Sequence, residues 1–105
     1  MNDIEFELKI RLNNNLEGQK NLEREIEFLP KGHINILYRK EKGYYYLTYR
    51  EGKKIHNDYL GPVGKADLNK TIEKLKKRQL YEKELLELKK EEKTLKKLIK
   101  NTKWD

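Results

Sequence analysis

The stretch over residues 29–62 constrains this chain more than any other. Leu29-Pro30-Lys31-Gly32 opens it, ILYRK and Tyr44-Tyr45-Tyr46-Leu47-Thr48-Tyr49-Arg50 form its body, and Tyr59-Leu60-Gly61-Pro62 closes it. β-Branched and aromatic residues alternate with Arg and Lys, and Gly43 and Gly52 interrupt the run. Such a pattern suits a pleated, half-buried surface and predicts strands over 34–40, 44–50 and 53–60. The connectors Glu41-Lys42-Gly43 and Glu51-Gly52 are long enough only for hairpins, so the strands are expected as antiparallel neighbours in a meander.

The pleat sorts the side chains. Ile34, Ile36 and Tyr38 are expected to share a buried face with Tyr45, Leu47, Tyr49 and Ile55. The opposite face would carry Leu37, Arg39, Tyr44, Tyr46, Thr48, Arg50, Lys54 and His56. A slip of one residue would exchange the two faces.

The flanks read differently. Ile4, Phe6, Leu8, Ile10 and Leu12 alternate with charged residues, a period of two that favours a strand over 3–12; the alternative, a helix, uses Leu8 and Leu12 only and leaves Phe6 and Ile10 on the wet face. Asn13-Asn14-Asn15 suits a turn and a helix N-cap. Gln19, Leu22, Ile26 and Leu29 then follow a helical spacing over 15–29, which Pro30 and Gly32 terminate. After Gly61-Pro62 and Gly64, a helix is predicted over 66–100, about 50 Å long. Tyr81, Leu85, Leu88, Leu95 and Ile99 fall on coiled-coil positions, with Glu92 interrupting. An earlier stripe, Leu68, Ile72 and Leu75, is out of phase with them, with the break near 76–80. The later stripe needs a second helix, supplied by the folded-back N-terminal segment or by a second copy of the chain. A homodimer through the C-terminal helix is therefore an expectation.

The expected fold is thus α+β: a three-stranded antiparallel meander, an added N-terminal strand, one short helix and one long helix, in a single domain over 1–105. With 35% hydrophobic and 41% charged residues, the core must be small. The formal charge of +7 is uneven, at −3 over 1–29, +5 over 30–65 and +5 over 66–105. That distribution favours an anionic partner. The absence of cysteine excludes disulfides, thiol nucleophiles and Cys-based zinc sites. No apolar run approaches the roughly 20 residues of a membrane span, so no membrane partner is expected and a cytoplasmic location is the default. Heavy use of Lys, Asn and Ile suggests an AT-rich genome, as in low-GC bacteria and their phages.

Residues 29–100 resemble a family of small bacterial and archaeal proteins known as a domain of unknown function. The matching residues are Leu29-Pro30-Lys31-Gly32, Tyr44-Tyr45-Tyr46-Leu47, Tyr49-Arg50-Glu51-Gly52-Lys53-Lys54 and Tyr59-Leu60-Gly61-Pro62. Similar strand-turn-strand blocks occur near the N-termini of some transposases and in arm-binding regions of integrases, so the resemblance implies mobile DNA and nucleic-acid contact. Family members usually begin with helix, from which a strand over 3–12 would depart.

Tyr44 and Tyr46, with Arg39, Arg50, Lys53, Lys54 and His56, are the candidate contact residues on the meander. Rings offer stacking area at low entropy cost, and the bases neutralise phosphate. Lys74, Lys76, Lys77 and Arg78 form the densest basic cluster on the long helix, and Lys76, Lys77 and Arg78 are its candidate contact residues. Trp104 is either a hydrophobic anchor or an idle tail residue. Glu5-Phe6-Glu7-Leu8-Lys9 resembles the E-x-E-x-K strand of triphosphate tunnel enzymes, whose closed barrel this chain could approach only as two copies. His33 and His56 lack a ligand spacing. The sequence therefore points to a non-enzymatic binding module that needs no cofactor or metal and binds nucleic acid. The alternative is an inhibitor or adaptor, of the anti-CRISPR kind, that binds a nucleic-acid-binding protein.

Overall fold

The computed structural model describes residues 3–102. Helix α1 spans Asp3–Glu27, strands β1, β2 and β3 span His33–Arg39, Lys42–Glu51 and Lys54–Pro62, and helix α2 spans Ala66–Thr102. The sheet is a three-stranded antiparallel meander in the order β1-β2-β3, as the aromatic block implied. No described helix is long and apolar enough to cross a membrane. The chain groups into two compact units, 28–80 and the pair 1–27 with 81–105.

Residues 3–12 are helix, which corrects the strand expectation and restores the helical start of the resembled family. The period of two was a coincidence of spacing. The seam of α1 uses Glu5, Leu8, Leu12, Asn15, Gln19, Leu22 and Ile26, all buried or half-buried at alternating steps of three and four. Phe6 and Ile10, which made the alternation convincing, are left 54% and 44% exposed. Ion pairs Lys9–Glu5 and Arg11–Glu7, at one helical turn's spacing, span the same segment. The three asparagines sit inside the helix rather than capping it. Two positions apart on a helix, Glu5 and Glu7 do not share the single face that a tunnel strand requires.

In the helical unit, α1 faces the last turns of α2. Gly18 lies against Leu88, and Arg11 lines a groove with Leu98, so the two helices run antiparallel. The α2 seam runs Tyr81, Leu85, Leu88, Glu92, Leu95 and Ile99, with Leu95 and Ile99 buried. Glu92 keeps the heptad's place rather than breaking it. It accepts a hydrogen bond from Gln19 Nε2 at 2.7 Å and pairs with Lys96 Nζ at 2.8 Å. Gln19 Nε2 also bonds Asn15 Oδ1 at 2.7 Å, and Asn15 Nδ2 donates to the Leu88 carbonyl and to Glu91, each at 2.9 Å. The Lys96 and Gln19 hydrogen bonds, with the positive field of Lys96 and Lys89, hold the Glu92 carboxyl below its ordinary value. The second helix that the seam required is thus the folded-back N-terminal segment.

In the sheet unit, Ile72 and Leu75 are the buried side chains of α2, and Leu75 is 1% exposed. Leu68 packs against Gly61, the residue opposite Tyr45. Arg78 Nη1 donates to the Leu29 carbonyl at 2.7 Å, and Gln79 Nε2 meets His33 Nδ1 at 2.8 Å. The two adjacent half-buried positions 78 and 79 mark the predicted phase break, at the limit of the unit.

Both hairpin turns differ from their expected positions. Lys40 and Glu41 form the first turn at φ 48° and 71°, and Gly43 lies within β2 opposite Tyr38. A Cβ on Gly43 would come within 2.9 Å of Val63 Cγ2 and 3.2 Å of Tyr38 Cε1, so the glycine answers crowding rather than turn geometry. Tyr38, expected in the core, lies across this bare backbone on an edge strand and is 69% exposed. The second turn is Gly52-Lys53, and Glu51 pairs with Lys54.

Candidate nucleic-acid interface

The strand register places Leu37 opposite Tyr44, Asn35 opposite Tyr46, Tyr46 opposite Tyr59, Thr48 opposite Asn57 and Arg50 opposite Ile55. Because directly opposed residues share a face, this outer face also carries the facing pair Arg39 and Lys42. The inner face carries Ile34, Ile36, Tyr45, Leu47, Tyr49, Lys54, His56 and Asp58. The expected sorting thus holds for β1 and β2 and inverts for β3. Ile55 is on the outer face and 62% exposed, whereas Lys54 and His56 are on the inner one. A two-residue turn sets Glu51 opposite Lys54, so the odd positions of β2 share a face with the even positions of β3 and not with the odd ones.

The expected contact residues therefore separate. Arg39, Tyr44 and Tyr46 converge around one hollow, joined by Tyr59. Arg50 shares their face at the far end of β2. Lys53 is exposed in the turn. His56 stacks on Tyr49 with ring centroids 5.1 Å apart and lies 3.4 Å from the Glu51 carboxylate. The Tyr49 phenol is pushed above its ordinary value, first by its hydrogen bond to Asp58. Lys76 and Lys77 are exposed on α2, away from the strands in sequence, and Arg78 serves the Leu29 carbonyl. Trp104 lies outside the described residues.

Tyr59 and Lys42 are functional candidates that sequence reasoning missed. A register shift between Tyr45 and Tyr46 leaves Leu60 as an extra residue on β3, a β-bulge that re-aims the strand. Tyr59, on the turn side of that bulge, is opposite Tyr46 and diagonal to Tyr44, with centroids 5.4 Å from Tyr46 and 6.2 Å from Tyr44, both tilted. Beside this aromatic end runs a polar ladder. Asn35 Nδ2 donates to Thr48 Oγ1 at 2.5 Å, and Thr48 Oγ1 donates to Asn57 Oδ1 at 2.6 Å.

Charge is arranged as sharply as aromaticity. No Asp or Glu of the strands shares the outer face, since Glu51 and Asp58 fall on the inner one. The unit over 28–80 holds thirteen Lys and Arg against five Asp and Glu, a net +8 that exceeds the chain's total of +7. An aromatic, basic and carboxylate-free sheet face can neutralise an anion while offering rings to planar groups.

A family model described as "Domain of unknown function (DUF6788)" matches residues 8–70, more than half of the chain. The match begins inside α1 and ends near the start of α2, so it covers the whole sheet and leaves out most of the Lys/Glu helix. No curated protein and no solved structure matches significantly.

Proposed function

We propose that this chain, which belongs to the DUF6788 family, is a small nucleic-acid-binding module whose contact surface is the outer face of the meander. One observation carries the reading: Arg39, Lys42 and Arg50 share a strand face with Tyr44, Tyr46 and Tyr59, and no strand carboxylate opposes them. Phosphate neutralisation supplies affinity on such a surface, and ring contact supplies a second, salt-independent contribution. The resemblance of the 29–62 block to transposase and integrase segments supports mobile DNA or phage as the setting.

Titrating labelled nucleic acid at several salt concentrations tests the reading. Wild-type protein should bind at low salt with a steep salt slope. Replacing Arg39, Lys42 and Arg50 together by Ala should reduce that slope by about 2 to 3, as expected for three lost phosphate contacts. Absence of binding to any nucleic acid at low salt refutes it. A second reading, an inhibitor or adaptor of the anti-CRISPR kind, is favoured by the exposed Leu37 and Ile55 on the same face, since interfaces prize Tyr, Arg and apolar anchors. Binding to a purified nuclease that survives digestion of all nucleic acid would support it.

A further inference from the structure

Resting on the nucleic-acid reading, we infer that the outer face takes a single strand, with two successive bases seated on either side of the Tyr46 ring and the second base read by Asn35 and Asn57. The geometry begins with two shallow hollows. One, of about 300 Å³, is lined by Arg39, Tyr44, Tyr46 and Tyr59. The other, of about 310 Å³, is lined by Asn35, Leu37, Tyr46 and Asn57, together with Ile36. Tyr46 belongs to both and forms the wall between them.

The two hollows differ in chemistry. The first offers three rings and a guanidinium, a combination that stacks on any base and meets its phosphate. The second offers amides whose internal ladder leaves their outer groups uncommitted. Asn35 uses one N–H on Thr48, and its carbonyl oxygen remains an acceptor. Asn57 uses its carbonyl oxygen on Thr48, and both N–H groups of its amide remain donors. An acceptor from β1 and donors from β3, with a ring on β2, match the edge and the face of one unpaired base. A duplex offers only its groove edges and never an edge together with a free base face, because its faces are stacked and its pairing edges are occupied. The exposed Tyr59 and the half-buried Tyr44 and Tyr46 rings of this face therefore favour a strand whose bases can be splayed onto them. Arg39 and Lys42 at one end of β2 and Arg50 at the other supply cations for the phosphates before and after the pair.

Fluorescence anisotropy on the full chain tests this with labelled ten-nucleotide homopolymers and with a hairpin duplex of matched phosphate number. The single strands should bind at least tenfold more tightly than the duplex. Tyr46→Leu should lose about tenfold or more on single strands and leave duplex binding unchanged, while Tyr46→Trp should retain single-strand affinity. Asn57→Asp keeps the oxygen that Thr48 bonds and replaces the outward donors by an acceptor. Its added charge should weaken every oligomer alike, so the readout is the ratio of affinities among the homopolymers, which should reorder. Circular dichroism verifies that each variant is folded. Equal affinity for duplex and single strands, or equal losses on both with Tyr46→Leu, overturns the single-strand assignment and leaves the nucleic-acid reading standing. An unchanged homopolymer ratio in Asn57→Asp overturns the reading of the second base. Failure of wild-type protein to bind any of these oligomers removes both.

Discussion

The buried amide layer between α1 and the end of α2 makes a prediction that separates stability from specificity. Asn15 and Gln19 are 4% and 7% exposed on a seam whose other α1 positions are mostly Leu or Ile. Asn15→Ala removes its bonds to the Leu88 carbonyl and Glu91 and the one it accepts from Gln19. At about 1 kcal/mol net for each bond, less about 0.6 kcal/mol gained in helix propensity, the cost is about 2 kcal/mol. For a chain of this size that lowers the melting temperature by roughly 10 °C. The double variant Asn15→Leu/Gln19→Leu should behave otherwise. Two buried leucines contribute about 1.5–3 kcal/mol each, and Glu92 retains Lys96 at 2.8 Å. The melting temperature should therefore hold or rise. However, the seam then becomes uniformly apolar from Leu8 to Ile26, with nothing to fix register or partner. Sedimentation should show the wild type and Asn15→Ala with one mass, and the double-leucine variant associating. If the double-leucine variant keeps the wild-type mass and Asn15→Ala melts unchanged, the amide layer does not specify this helix pair.

Two further outcomes follow from local geometry. Lys40 and Glu41 occupy left-handed backbone without the residues that suit it, so Lys40→Asn with Glu41→Gly should raise stability by about 1 kcal/mol or more in urea titration. Because hydrogen bonds and lysines hold the Glu92 carboxyl below its ordinary value of 4.5, its contribution is present above that value and lost as pH falls through the depressed one. The wild-type melting temperature should decline over that acidic range more steeply than that of Glu92→Gln.

The sequence by itself determined the meander, the long helix and its phase break. Alternation of Tyr, Ile and Leu with Lys and Arg survives any packing, because the pleat repeats every two residues. Two short connectors leave consecutive strands no arrangement but antiparallel neighbours. It also determined that Arg39, Tyr44 and Tyr46 share a face, since Ile34 and Ile36 on β1 and Leu47 on β2 mark the opposite side of each strand. Tertiary structure decided the rest. Residues 3–12 satisfy both periods, and only the facing α2 seam, where Arg11 lines a groove with Leu95 and Leu98 and Leu8 and Leu12 are half-buried, selects the helix. The side of the sheet on which Ile55, His56 and Tyr59 stand depends on how many residues one turn contains. The two-residue turn Gly52-Lys53 set His56 opposite Tyr49 and Tyr59 opposite Tyr46, diagonal to Tyr44. Parity carries no memory across a turn of unknown length, so the third wall of the aromatic hollow became visible only once the strands were paired.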